Sequence, residues 1–330
     1  MICTVKQSFR GEISEKFGKL WQKRREQVTL NYSHYYYTYN PVSDKGADIK
    51  CRFDPRSFDK KPALTLEYSL PKLIFGNNIE EIRDIPWAVD RGNEEIAKVP
   101  GLEGIDIKEG RLTRLDLAYN HQVGKRLRDY IGALSRMKYP HRKTVIYQHE
   151  SVYFNSGRSR TYFYDKFKES GDVAAKGMLR QEASLNDRWL IDEKFGKRAT
   201  LLDLTLWKAQ EVLMDDLATL GVDMPILGMD AESLERLTNS VGHYAAHYYR
   251  DVLNTMSEYD QGDRETLTKK NTSSMDNRIK KAIRKLEFAP VIAQGKSLPP
   301  LRIKLNGIDD IEDYEEEYEE EEFEEEEWEW

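Results

Sequence analysis

Residues 63–70 alternate strictly. Leu64, Leu66, Tyr68 and Leu70 fall on one side of an extended strand, Thr65, Glu67 and Ser69 on the other, and Pro71 closes the run. The same two-residue period governs residues 111–120, where Leu115, Leu117 and Tyr119 oppose Arg114, Asp116, Ala118 and Asn120. A third run, 178–185, carries Arg180, Glu182 and Ser184 on its polar side. Residues 32–39 and 48–53 read as two more strands. Residues 151–168 read as a β-hairpin, with the aromatic run Val152-Tyr153-Phe154, the turn residues Asn155-Ser156-Gly157 and a second aromatic run. Alternation along that second strand puts Tyr162, Tyr164 and Lys166 on one face and Phe163, Asp165 and Phe167 on the other.

Helical spacing takes over elsewhere. Residues 4–28 read as a short strand and then an amphipathic basic helix, with Ile13, Phe17, Leu20 and Trp21 on its apolar side. Lys19, Lys23, Arg24 and Arg25 crowd its later turns. Further helices are expected around 92–99, over 123–137, and beyond residue 200 at 201–220 and 231–256, the last capped by Asp230. Residues 264–285 are Ser/Thr-rich, basic and helical from Met275, and Pro299-Pro300 precede a last strand-like run. The expected class is α+β: a central antiparallel sheet with helices on one face in a first domain at 1–200. A mainly helical region at 201–306 and a disordered acidic tail at 307–330 follow.

Charge changes the picture. The formal net charge is −7, but residues 309–330 hold sixteen Asp and Glu and no Lys or Arg. Without those sixteen, the 58 acidic residues become 42 against 51 basic ones, a body of about +9. Excess cations on a folded body suit phosphate-backbone binding. The low-complexity tail cannot bury a core. No apolar run reaches membrane-spanning length and the first thirty residues lack an apolar signal core. The two cysteines, Cys3 and Cys51, form neither a disulfide framework nor a metal-ligand spacing, which suits a reducing cytoplasm.

Three strands each expose one carboxylate opposite their apolar residues: Glu67, Asp116 and Glu182. Hard oxygen donors of this kind suit a divalent cation, and the arginines two positions before Asp116 and Glu182 suit a phosphodiester. Outward alternation with cross-strand charge pairing would look the same. A tyrosine is a poor nucleophile unless cations or a metal stabilise its phenolate; Lys166, Arg158 and Arg160 are close in sequence, although a strand of packed tyrosine rings would read alike. His243 and His247 stand one helical turn apart, but Tyr244 occupies the place of the glutamate a metalloprotease helix requires, and no third ligand is evident.

Four stretches occur in an order that resembles the phage and plasmid rolling-circle replication initiators grouped with the filamentous-phage gene II product. They are L-E-Y-S-L-P-K-L-I-F-G-N-N (66–78), T-R-L-D-L-A-Y-N (113–120), S-V-Y-F-N-S-G-R-S-R-T-Y-F-Y-D-K (151–166) and L-R-Q-E-A-S-L (179–185). The resemblance implies an enzyme that nicks one strand of a duplex origin, with 1–200 as its DNA-binding and nicking domain, in the host bacterial cytoplasm, using Mg²⁺ or Mn²⁺. By motif position it implies Tyr164 as nucleophile, assisted by Lys166, and Asp116, Glu182 and Glu67 as metal-binding carboxylates. Strand alternation alone does not separate Tyr164 from Tyr162. Arg114, Arg158, Arg160, Arg180 and Lys72 make up the expected DNA-contacting set. The implied partners are duplex origin DNA, single-stranded DNA, a host polymerase and a helicase; a homodimer stays open. Asn77 stands where the family often has His, Gln181 replaces a usual Phe, and no His-hydrophobic-His metal motif occurs. A non-catalytic DNA-binding protein and a metal-dependent nuclease activating water are the rival readings.

Overall fold

The computed structural model describes residues 1–10, 19–29, 32–55, 62–147, 150–228 and 296–303, with isolated positions between 235 and 242 and at 289. Among them, one ten-stranded sheet organises the molecule. Its strands are β1 (Ile2–Arg10), β2 (Gln22–Thr29), β3 (Tyr32–Tyr39), β4 (Ile49–Asp54), β5 (Ala63–Ser69), β6 (Arg111–Gln122), β7 (Lys143–Tyr147), β8 (Ser151–Asn155), β9 (Ser159–Asp165) and β10 (Met178–Leu185). They lie in the order β2-β3-β4-β5-β1-β6-β10-β9-β8-β7, every pairing antiparallel.

The alternating runs explain the centre of the sheet. Leu66 of β5, Val5 of β1, Leu115 and Leu117 of β6, and Phe163 of β9 are all fully buried on one face. Helices α1 (Leu70–Phe75), α2 (Ile85–Ala97), α3 (Leu127–Leu134) and α6 (Leu206–Leu220) bury apolar residues in the same core, and α6 packs on β10 and β6. Buried Gln7 is satisfied there: its amide donates to the carbonyls of Ile107 at 2.7 Å and Gly110 at 3.0 Å, and its oxygen accepts from the Tyr68 hydroxyl at 2.7 Å. Gly110 is needed at this crossing, because a Cβ would stand 2.5 Å from the Phe9 ring and 2.6 Å from the Gln7 amide nitrogen.

Several expected elements come out differently. The later turns of the basic helix are strand β2, with Lys23, Arg24 and Arg25 opposite Tyr37, Tyr36 and Tyr35 of β3. Cross-strand aromatic partners override the local helical spacing; residues 11–18, the rest of that helix, lie outside the described residues. Helix α2 begins at Ile85, well before the expected 92, because Asp84 accepts the Trp87 N–H and Pro86 sits in the first turn. The 123–137 helix is shorter, a 3-10 turn at Gly124–Arg126 followed by α3. Residues 201–203 form a separate 3-10 turn, and Thr205 caps the start of α6. Helices α4 (Lys166–Ser170) and α5 (Arg188–Phe195) arise where none was expected, each opened by an aspartate cap, Asp165 and Asp187. Residues 301–303 are not strand; nearby, Leu298 bridges to Ile226. The segments expected to be helical at 231–256 and 264–285, with His243 and His247, and the acidic tail lie outside the described residues apart from isolated positions.

Candidate active site

Opposite the apolar face, β1, β6, β10 and β9 bring their polar residues side by side. Asp116 stands across from Thr4 and Ser184, Glu182 from Ala118 and Tyr162, and Arg180 from Asn120 and Tyr164. The register of β1 against β6 shifts between Ile2 and Thr4, so Cys3 is the extra residue of a bulge. All eight residues of β10 are buried, so its polar side is covered too. The result is a cavity of about 430 Å³ whose lining includes Cys3, Asp116, Tyr153, Tyr162, Tyr164 and Glu182.

Glu182 is the hub of this cavity. Its Oε1 accepts from the Tyr164 hydroxyl at 2.6 Å and from Arg180 Nε at 2.7 Å, and its Oε2 accepts from the Tyr162 hydroxyl. Asp116 is held in parallel by Arg114, whose Nε and Nη2 donate at 3.0 and 2.6 Å, and by the Ser184 hydroxyl at 2.5 Å. Arg180 spends its other nitrogens on the Asn78 carbonyl at 2.7 Å, Asn120 Oδ1 at 3.1 Å and Cys3 Sγ at 3.2 Å. Burying carboxylates and guanidinia is tolerable only with partners of this kind. The phenol rings are fixed as well: Tyr153 stacks on Tyr162 and Tyr162 on Tyr164, with centroids 5.1 and 6.0 Å apart.

These surroundings set the protonation states. Burial first, then the charge of Glu182, push both Tyr162 and Tyr164 far above the ordinary phenol value. Burial also raises Asp116, against the opposing pull of Arg114 and Ser184. The Cys3 thiol is raised by burial and by Glu182, which removes it as a rival nucleophile. The arrangement is therefore a neutral phenol already hydrogen-bonded to a carboxylate, the geometry of a hydroxyl nucleophile paired with a base.

Residues 5–200 match the family model for the N-terminal part of a phage replication-associated protein, the gene II product. The chain belongs to this family of phage and plasmid replication initiators. The described fold, a large antiparallel sheet carrying helices, is the one expected of it. Among solved structures the chain is similar to the rolling-circle replication initiator protein from Geobacillus stearothermophilus, at 16% identity and a TM-score of 0.28, over 58% of this chain and 78% of that one. A search of curated proteins returns no match.

In this initiator the four motif stretches meet. Tyr164, Asp116, Glu182 and Arg114 all line the cavity. Lys166 does not share the tyrosine strand: β9 ends at Asp165, and Lys166 opens α4, buried, with its ammonium donating to Asn78 Oδ1 at 2.7 Å and to Glu169. Glu67 stays outside the cavity lining, among Lys6, Lys50 and Arg114 at 3.5, 3.8 and 3.4 Å. Arg180 is 3% exposed and turned inward. Arg158 and Arg160 are exposed, the former 3.3 Å from Asp187, and Lys72 is exposed on α1. Sequence reasoning missed Asn78, Ser184 and Cys3 as site residues. Asn78 had a signal, in the G-N-N end of the first motif; Cys3 had none, since a bulge delivers it. Among the described residues, no helix is long and apolar enough to cross a membrane.

Asp116 and Glu182 offer hard oxygen donors to one cavity, while no group of three His, Cys, Asp or Glu converges among the described residues. Glu150, Asp165 and Glu169 also line the cavity, and Asp116 and Glu182 are already paired with Arg114 and Arg180. A Mg²⁺ or Mn²⁺ ion held there would therefore keep waters and take substrate oxygens rather than fill a protein cage. Among the described residues no histidine lines the cavity, and His121 is buried against Gln181 at 3.0 Å, on the opposite side of the sheet.

Proposed function

We propose that the chain initiates rolling-circle replication by nicking one strand of a duplex origin, with Tyr164 as nucleophile. The observation that carries this reading is the 2.6 Å hydrogen bond from the Tyr164 hydroxyl to Glu182 inside the cavity. In the reaction the phenol proton passes to Glu182 and Tyr164 Oη attacks phosphorus. The P–O3′ bond breaks, the 3′-oxygen leaves and takes up a proton, and a 5′-phosphotyrosyl link forms. The free 3′-hydroxyl is what a host polymerase extends while a helicase opens the duplex. Covalent storage of the phosphodiester lets the same site rejoin the strand.

Arg180 orients Glu182, Arg114 orients Asp116, and the exposed Arg158 and Arg160 contact the strand, as would Lys72 if the duplex extends over α1. A Mg²⁺ or Mn²⁺ ion held by Asp116 and Glu182 would neutralise developing phosphoryl charge and favour the phenolate. Residues 1–200 carry the nicking function in this reading, with 201–306 and the tail as accessory regions.

The test is incubation with supercoiled DNA of the protein's own replicon and Mg²⁺, followed by denaturing electrophoresis. A covalent protein–DNA adduct that disappears in Tyr164→Phe supports the reading. Nicking without an adduct favours a water-activating nuclease, and binding without nicking favours a non-catalytic protein. A second nucleophile assignment has one observation in its favour: Tyr162 donates to the same carboxylate. An adduct absent in Tyr162→Phe and kept in Tyr164→Phe would transfer the role.

A further inference from the structure

The edge of the sheet farthest from the cavity carries a feature that nicking chemistry does not use. β2 and β3 pair along their whole length, from Gln22 opposite Thr38 to Thr29 opposite Tyr32, while β3 meets β4 only through Tyr37, Thr38 and Tyr39. Among the described residues no third strand pairs with the hairpin beyond Tyr37, so it stands there as a two-stranded ribbon. Lys23, opposite Tyr37 where the ribbon begins, and Arg24 and Arg25 along it are exposed and alternate between its two faces. Among the described residues no carboxylate pairs with any of the three, and the nearby Glu26 is engaged by Arg52 at 2.8 Å. Tyr35, 45% exposed, lies under Lys23 with the ammonium 4.4 Å from the ring centre, and Arg52 lies over Tyr36 at 3.9 Å. Charged edge strands also deter edge-to-edge pairing, but that need is met on one edge and does not call for cations on both faces.

A two-stranded ribbon fits the major groove of B-DNA, and cations on both of its faces meet the phosphate rows on both walls. The face shared with the cavity continues this charge across the sheet through Arg24, Arg52, Lys50, Lys6 and Arg114. Seven strand spacings separate β2 from β9 in the sheet order. At about 4.8 Å each they place the ribbon roughly 30 Å from Tyr164, close to one turn of duplex.

We propose that the β2–β3 ribbon docks in the major groove about one helical turn from the nick site and holds the duplex origin over the cavity. This rests on the reading of Tyr164 as the nicking residue. The ribbon is a positioning device and touches no reacting atom.

The test compares wild type with Lys23→Ala/Arg24→Ala/Arg25→Ala on two probes, a duplex carrying the replicon's nick site and a single-stranded oligonucleotide of the same site. Duplex nicking should fall at least about tenfold, while single-strand cleavage stays within about twofold. The salt slope of duplex binding should shrink by about 0.9 for each phosphate that the variant no longer neutralises. Hydroxyl-radical protection should vanish about ten base pairs from the nick and persist at the nick itself. The charge-preserving variant Lys23→Arg/Arg24→Lys/Arg25→Lys should behave as wild type, which separates loss of charge from loss of fold. Equal losses on both probes with an unchanged melting curve, or a footprint identical to wild type, would overturn the proposal. If wild type cleaves neither probe, the nicking reading has failed, and the footprint and salt slope still decide the ribbon.

Discussion

Glu182→Gln separates two opposite roles of one carboxylate. In the folded protein Glu182 accepts from Tyr164 at 2.6 Å, from Arg180 at 2.7 Å and from Tyr162, and its side chain is 7% exposed. Glutamine keeps the shape but turns one acceptor into a donor and removes the counter-charge of Arg180, itself 3% exposed. Leaving one member of a buried pair uncompensated destabilises by about 3–5 kcal/mol. The remaining bonds of Arg180 to Asn78, Asn120 and Cys3 favour the lower end, about 3 kcal/mol. For a chain this long, that is a fall in Tm on the order of 5–10 °C. The effect on catalysis has a sign that discriminates. Since the charge of Glu182 is one cause of the raised Tyr164 phenol, its removal makes the phenolate easier to form. If suppression of the phenolate were all that Glu182 does, the variant would nick faster at every pH below the phenol's own. If Glu182 takes the proton and helps hold a cation, nicking falls by at least about 100-fold, the size expected for a missing general base, while duplex binding survives. Rates from single-turnover nicking of supercoiled DNA at several pH values, at temperatures below both melting transitions, decide the matter. A faster variant, or one with unchanged Tm, would refute the reasoning.

Other expectations are simpler to state. Asp116→Asn should lower nicking by orders of magnitude and leave duplex affinity unchanged, and wild-type rates across a Mg²⁺ titration would make Asp116 merely structural. Glu67→Gln should change neither the Mg²⁺ concentration for half-maximal nicking nor stability by more than about 1 kcal/mol, since its partners Lys6, Lys50 and Arg114 lie near the surface; a rightward shift of the Mg²⁺ curve would return it to the metal set. Burial lowers His121 from 6.5 to about 4. The unfolded chain therefore binds the proton first, and stability is full above pH 6.5 and declines as pH falls towards 4, by about 3 kcal/mol. Melting curves of wild type and His121→Gln should diverge in slope over that window. Deleting residues 309–330, with their sixteen acidic side chains beside a basic body, should tighten binding to random duplex most at low salt. Superimposable salt series would leave the tail no role in DNA binding.

Alternation along β5, β6 and β10 was legible in the residues alone, because a strand with one apolar face must repeat every second position whatever surrounds it. That local rule put Glu67, Asp116 and Glu182 on polar faces and, with the motif order, singled out Tyr164. Partnership is a different matter. Whether a carboxylate faces a tyrosine or three cations depends on which strand lies beside it, and β1 comes between β5 and β6 from the start of the chain. Glu67 therefore sits among Lys6, Lys50 and Arg114, while Glu182 meets two tyrosines. Lys23, Arg24 and Arg25 follow Ile13, Phe17, Leu20 and Trp21, which are at helical spacing, yet the tyrosines of β3 made them a strand, a pairing invisible to a local period. Lys166 followed the alternation on paper, but the cap of Asp165 turned the chain into α4 one residue too soon and carried the ammonium to Asn78 and Glu169. Local periodicity determined which side chains leave the sheet on the polar side; strand order, bulges and caps, which are set by contacts distant in sequence, decided which of them meet.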